Sequence, residues 1–328
     1  MSARWDGQAL LQPITEDQPC GENLEDTQLL ASFDSFRLFG QPTTLDPTPE
    51  WAAIRDAAIE ALNKSKDLRL LAHLGTALLW TDGLRPFVET LKIASAWLET
   101  NWSGIYPQVD EDAIFRRNAL NCFADQMAVV DGLRRVPLVS HPQLGRFSLR
   151  DIEIATGQVL AGETDTRPDE GQINAAFAEM PLDELRLLRQ RVADAQAALN
   201  SIDARMRLEG GPDAAPSFDP LSAQLVRLAR ALRAQLALRP DAGESAETES
   251  PGETGAKAVG AIKSRQDAIR ALDAVADFFR HNEPSSPIPL LVDRAKRLVS
   301  KDFLEVLADI VPEAVGQARA AGGLRQGE

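Results

Sequence analysis

Between residues 185 and 206, seven apolar side chains recur in alternating steps of three and four: Leu185, Leu188, Val192, Ala195, Leu199, Ile202 and Met206. That rhythm aligns them along one stripe of a single long helix, whereas a strand would scatter them over both faces. A stripe of this length is stable only when other helices cover it. After the break at Gly210-Gly-Pro212, Asp219 reads as an N-cap with Pro220 at the first helical position. Leu221, Leu225, Leu228, Leu232 and Leu236 follow at helical spacing. The short break predicts an antiparallel helical hairpin.

The same periodicity runs through the first half of the chain. Trp51, Ile54, Ala58 and Leu62 share a helical face, as do Leu71, Leu74 and Leu78, then Leu84, Phe87, Leu91, Leu98 and Trp102. Leu120, Phe123, Met127 and Val130 belong to a further helix, expected to end near Val136-Pro137 because proline cannot extend the ladder. The proline-rich stretches 40–49 and 134–145 read as connections and not as strands. Residues 147–154 are ambiguous: their alternation suits a strand, but Ser148 with Asp151 forms a capping-box pattern, and a short helix is preferred.

The expected fold class is all-α. It comprises a multi-helix N-terminal domain (1–155), a middle helical hairpin (156–238), a flexible linker (239–260) and a small helical C-terminal domain (261–328). The linker is rich in Glu, Ser, Gly, Ala and Thr and has no large aliphatic residue before Val259. Such a composition buries too little apolar surface to offset its ordering entropy.

Composition narrows the function. The chain of 328 residues carries 35 Lys and Arg against 49 Asp and Glu, a formal charge of −14. That charge disfavours nucleic acid and anionic lipid as partners and leaves proteins. From Ile262 to Glu328 ten basic residues face ten acidic ones, so the C-terminal segment is neutral and the excess lies before it. A neutral segment on an acidic body carries less self-repulsion when copies meet. No apolar run approaches the roughly 20 residues that span a bilayer, and the cytoplasm is the expected location.

No catalytic, cofactor or metal site is expected. His73, His141 and His281 stand without a second histidine at metal-ligand spacing. Cys122 sits among apolar helix residues, as a buried thiol would. Cys20, between Pro19 and Gly21, reads as a turn residue that can be exposed, with flanking acids that disfavour thiolate. Gly252-Glu-Thr-Gly-Ala-Lys257 lacks the spacing and preceding strand of a phosphate loop. Asp110-Glu-Asp112 precedes a helix, where carboxylates favour the positive end of its dipole. Arg294, Arg297 and Lys301 repeat at helical spacing and read as a solvated basic face.

Two sets of motifs carry a family likeness. The first comprises Leu11-Gln-Pro-Ile14, Asp17-Gln-Pro-Cys-Gly-Glu-Asn-Leu24, Trp51-Ala-Ala-Ile-Arg55, Leu62-Asn-Lys-Ser-Lys-Asp-Leu-Arg69 and Tyr106-Pro-Gln-Val-Asp-Glu-Asp112. The second is Phe278-Phe-Arg-His-Asn-Glu-Pro-Ser-Ser-Pro-Ile-Pro-Leu-Leu-Val-Asp-Arg-Ala295 with Asp302-Phe-Leu-Glu-Val-Leu307. In this order they resemble the ImpA (TssA) family of type VI secretion assembly proteins. The resemblance implies a cytoplasmic, non-enzymatic assembly factor acting at the baseplate and in growth of the contractile sheath and inner tube. It also implies homo-oligomers, sometimes rings, formed through the C-terminal region. Trp51, Asp67, Leu68, Arg69, Trp102, Tyr106 and Pro107 are then structural signature. Phe278, Phe279, Glu283, Pro284, Ser285, Ser286, Pro287, Pro289, Arg294 and Arg297 are candidates for docking or self-association. A monomeric two-domain helical adaptor is the alternative, and a cysteine hydrolase a distant third.

Overall fold

A computed structural model describes residues 5–40, 49–109, 112–162, 165 and 167–239, together with 269, 272, 273, 275, 276, 280 and 287–299 of the C-terminal segment. The expected linker beyond residue 239 lies outside the described residues. The chain divides into two compact units, Met1–Ser245 and Ala246–Glu328.

The first unit is built around one helix that is apolar on nearly every side. Two short helices, α1 (Gly7–Leu11) and α2 (Gln28–Asp34), precede α3 (Trp51–Leu62), α4 (Leu68–Asp82) and α5 (Leu84–Thr100). In α4 ten residues are buried, among them Leu68, Leu70, Leu71, Leu74, Leu78 and Leu79, so the helix is enclosed and not laid on a surface. Gly83 makes the α4–α5 turn. Its φ of 86° suits glycine, and its N–H donates to the carbonyls of Leu78 and Leu79, closing the end of α4. Helices α3 and α5 both pack on α4, and α5 also meets the long α10 (Leu182–Gly210).

The helix expected to run to Val136-Pro137 is interrupted. It consists of α6 (Ile114–Asn121), a 3₁₀ turn (Cys122–Ala124), a π-helical turn (Gln126–Val130) and α7 (Asp131–Arg135). Asp125 causes the break: with extended ψ, its side chain accepts from the N–H groups of Met127 and Ala128 and so caps a new start.

The connection 134–145 differs from expectation. β1 (Pro137–His141) pairs antiparallel with β2 (Gly145–Ser148), placing Val139 opposite Phe147, with an irregularity between Pro137 and Val139. Proline is tolerated because it opens the strand, and the buried Val139 and Phe147 hold the ribbon against the core. The capping box is present as read: Ser148 and Asp151 cap each other's backbone at the start of α8 (Leu149–Ala155). The 147–154 stretch is thus strand end and helix start together. Helix α9 (Glu170–Glu179), capped by Asp169, was not anticipated.

All seven stripe residues of α10 are buried, and α11 (Asp219–Ala237) packs along that helix as the expected hairpin. Phe218 occupies the N-cap position, one residue before the expected Asp219, which becomes the first helical residue with Pro220 beside it. The hairpin does not form a core of its own. Buried residues from Leu24 through Leu91 to Ile202 and Leu232 belong to one continuous cluster. Helix α10 packs against both α5 and α11, and the buried cluster runs across residue 155 without a break.

In the second unit, α12 (Ile288–Val299) is described. Ala276 and Val292 are buried there, Arg280 pairs with Asp293 at 2.9 Å, and Lys296 bonds Asp273.

Candidate functional site

Six of the seven signature residues converge at one place, where three loops are tied by backbone hydrogen bonds. Helix α3 ends at Leu62, and after a turn at Asn63 and Lys64 the chain passes through residues 65–67 between two other chain segments. On one side the Glu22 N–H donates to the Lys64 carbonyl at 2.9 Å and the Lys66 N–H to the Cys20 carbonyl at 2.8 Å. On the other, the Tyr106 N–H donates to the Lys66 carbonyl at 3.0 Å and the Leu68 N–H to the Tyr106 carbonyl at 2.9 Å. The result is a miniature ladder, antiparallel at Gly21–Ser65 and parallel at Asp67–Tyr106. Gly21 is required at its position. Its φ is 73°, and a Cβ there would lie 2.0 Å from the Lys64 carbonyl oxygen. The Tyr106 hydroxyl donates to the carbonyl of the same glycine at 3.2 Å.

Asp67 is fully buried and serves two purposes. Its Oδ1 accepts from the Arg69 N–H at 2.8 Å, capping α4, and both its oxygens accept from the Arg69 guanidinium. Arg69 also reaches Glu25 at 2.7 Å, which ties α4 to the segment before α2. Burial alone would pull the Arg69 guanidinium down, but the bonds to Asp67 and Glu25 outweigh it and hold the group above its ordinary range. Leu68 is enclosed in the core beside it.

Arg116 lies at the centre of the third loop and is completely buried. Its guanidinium donates to the carbonyls of Trp102 at 3.0 Å, Ile105 at 2.8 Å and Pro107 at 2.8 and 3.1 Å, and stacks 4.5 Å above the Trp102 ring. The planar fork of arginine suits this task, since it meets several carbonyls at once while its face rests on an aromatic ring. Burial pulls its pKa down to about 10, which leaves it charged at neutral pH. Sequence reading passed over Arg116. Its position four residues before Leu120 and seven before Phe123, on the apolar face of α6, is the signal that marked it.

Trp51 stands apart from this node. It opens α3 and stacks on Trp80 with centroids 5.2 Å apart and planes 2° from parallel, while Trp80 donates from Nε1 to the Ala128 carbonyl. It therefore fastens α3 to α4 and α4 to the π-helical turn.

The remaining titratable candidates have structural surroundings. His73 lies between Phe33 and Phe39, with ring centroids 5.1 and 4.8 Å away and Nδ1 2.9 Å from the Arg69 carbonyl. Burial lowers its pKa. His141 closes the β1–β2 turn, its Nδ1 accepting from the N–H groups of Gln143 and Leu144, and its Nε2 lies 2.8 Å from Glu179. Cys20, read as a turn residue that can be exposed, is buried, because the ladder folds its loop over the segment 63–67; burial raises its pKa, although Lys66 and Arg116 oppose the shift. Burial pushes the Cys122 thiol up to about 12. Asp112 accepts from the Ile114 N–H at 2.9 Å, as a helix-start carboxylate should; Asp110 and Glu111 lie outside the described residues. Among the described residues, no group of three or more His, Cys, Asp or Glu side chains is placed to hold a metal ion, and no helix is long and apolar enough to cross a membrane.

Of the C-terminal candidates, Phe278, Phe279, Glu283, Pro284, Ser285 and Ser286 lie outside the described residues, as do His281, Lys301 and the 252–257 stretch. Pro287 and Pro289 mark the start of α12, with the Pro287 carbonyl accepting from the Leu291 N–H at 3.3 Å. Arg294 is an exposed residue of that helix, and Arg297 lies in its final turn. Leu290 and Leu291 are exposed between these positions.

Comparison with known proteins follows this division. Residues 11–125, which contain the node and the Trp51–Trp80 stack, match the family described as ImpA, N-terminal, type VI secretion system. The N-terminal domain of the TssA component of the type VI secretion system from Burkholderia cenocepacia, which includes the conserved ImpA_N region, has a similar fold. Its TM-score is 0.58 at 23% identity, covering 72% of this chain and 96% of that one. The type VI secretion system component TssA1 of Pseudomonas aeruginosa is 31% identical over 341 residues, spanning 96% of this chain and 97% of that protein. A relationship of that extent takes in the C-terminal segment as well as the helical body, and the chain belongs to the TssA family of type VI secretion system components.

Proposed function

We propose that this chain is a non-enzymatic, cytoplasmic assembly factor that works at the baseplate and in growth of the contractile sheath and inner tube. In this reading it acts as a homo-oligomer joined through its C-terminal region. The observation that carries the proposal is similarity to a type VI secretion component along 96% of the chain. The node adds support of a different kind: Asp67, Arg69 and Arg116 spend their charge on one another, on Glu25 and on backbone carbonyls. That use of charge suits a rigid scaffold. The C-terminal segment contributes neutrality between Ile262 and Glu328, and exposed Leu290 and Leu291 on α12. Pairing several acidic bodies through such a segment raises their local concentration around a symmetric partner.

The test is native mass measurement of the full chain beside a chain ending at Pro240, with co-precipitation of sheath, inner-tube and baseplate proteins. The full chain is expected at a discrete multiple of 35.7 kDa and the shortened chain at a smaller subunit number. Equal subunit numbers would move self-association out of the C-terminal segment. A monomeric full chain that still captures the secretion proteins would favour the two-domain adaptor.

A further inference from the structure

Lys66 is a buried node residue whose charged group the node does not use. Its N–H and carbonyl are fixed in the ladder by Cys20 and Tyr106, and the residue is only 2% exposed. Yet among the described residues its ammonium has no hydrogen-bond or ion-pair partner; the Trp97 ring stands by it, with Nζ 5.8 Å from the centroid. The side chain lines a cleft of about 190 Å³ between the α1–loop segment and the end of α3, with Leu10, Gln12, Ile14, Leu62 and Asn63 as further walls. The cleft is held open on rigid supports: the Trp97 Nε1 donates to the Leu10 carbonyl, the Ile14 N–H to the Pro19 carbonyl, and the Asn63 N–H to the Ile59 carbonyl.

We propose that this cleft is a binding site for a small carboxylate with a short aliphatic body, received by Lys66. A partly desolvated ammonium without a counter-charge is costly, and burial accordingly lowers the Lys66 pKa. An entering anion supplies the missing charge. The side-chain amides of Gln12 and Asn63 provide hydrogen-bond donors for its oxygens, and Leu10, Ile14 and Leu62 match a chain of a few methylenes. The volume lies below that of drug-sized and nucleotide pockets, which begin at roughly 300 Å³. A lone lysine, without an arginine fork or a nest of backbone N–H groups, suits a carboxylate better than a phosphate.

The experiment is an NMR titration of the full chain with butyrate, N-acetylglutamate α-methylamide and inorganic phosphate at constant ionic strength, repeated with Lys66→Met. Butyrate is expected to shift the Asn63 and Ile14 amides and the Trp97 indole saturably, with phosphate weaker by roughly tenfold or more. Lys66→Met, which replaces a buried charge by an apolar chain of similar length, should fold and lose the response. Stronger saturation by N-acetylglutamate α-methylamide, whose single carboxylate is that of the side chain, than by butyrate would assign the carboxylate to an acidic side chain of a protein, and the reverse to a free monocarboxylate. Absence of saturation in the parent protein would overturn the proposal whatever the variant does, as would an unchanged response in Lys66→Met or equal binding of phosphate, the mark of a hydrated ammonium attracting any anion.

Discussion

The α10–α11 seam and the loop node both have buried centres, yet they hold the first unit together by opposite means. The hairpin uses interchangeable apolar groups whose only demand is periodic placement, so Leu199 and Ile202 contribute as volume. The node uses directional bonds that one residue type can make at one position: Gly21 for its backbone, Asp67 for the cap, Arg116 for three carbonyls. Substitution should therefore be graded in the hairpin and abrupt in the node.

The sharpest way to break that contrast is Arg116→Met. The methionine keeps much of the volume and leaves the carbonyls of Trp102, Ile105 and Pro107 buried without their donor, for an expected loss of about 3–5 kcal/mol. Chemical denaturation measures it. A loss below about 1 kcal/mol would mean that water replaces the guanidinium and that the node is not directional.

Leu199→Ala comes next. The side chain is 1% exposed at the meeting of α10 with its neighbours, and truncation there should cost about 2–4 kcal/mol through lost transfer energy and a cavity. Its partner test is Leu199→Met, which conserves volume and should cost under about 1.5 kcal/mol. If both substitutions cost the same, the seam is as exacting as the node, and the distinction fails.

This contrast also explains what could be read from the sequence. The stripe from Leu185 to Met206 announces its own burial because period alone carries the information. The helical fold class and the capping box at Ser148 were legible for the same reason: each is a local pattern. Asp67, Leu68, Arg69, Trp102, Tyr106 and Pro107 were singled out by the family resemblance instead, and Arg116 was not among them. The wiring was not legible. Cys20 reads as a turn residue because nothing near it in sequence shows that 63–67 will lie against its loop, and Arg116 looks like one of two adjacent surface arginines. The β1–β2 ribbon was missed because Pro137 and Pro142 signal a loop, while the bonds from Gln143 and Leu144 to His141 that close its turn leave no pattern. The separate middle domain was expected because a hairpin accounts for its own apolar stripe. That α5 covers part of the same stripe is tertiary information.

His73 provides a pH-dependent probe of the node's border. Burial depresses its folded-state pKa below the ordinary value near 6.5, so around and below that pH the unfolded chain binds more protons than the folded one. Stability from this residue is therefore present above about pH 6.5 and declines as pH falls below it. Denaturation midpoints between roughly pH 7.5 and 5.5 should fall more steeply for the parent protein than for His73→Gln. Equal slopes would show that the aromatic pair Phe33 and Phe39 leaves the imidazole free to charge in the folded state.

The smallest effect is expected at Glu25, and it tests burial with distance held fixed. Arg69 Nη2 lies 2.7 Å from Glu25 and 2.7 Å from Asp67, so contact geometry alone would rank the two pairs together. Their surroundings differ: the Asp67 side chain is 0% exposed, and that of Glu25 is 51% exposed. Water screens the outer pair and solvates the carboxylate well when it is released, so Glu25→Gln should cost about 0.5 kcal/mol or less, and less still at high salt. Asp67 also keeps the guanidinium paired after the change, so no buried charge is stranded. A salt-insensitive loss above about 1.5 kcal/mol would place Glu25 among the directional bonds of the node and extend the node to the segment before α2.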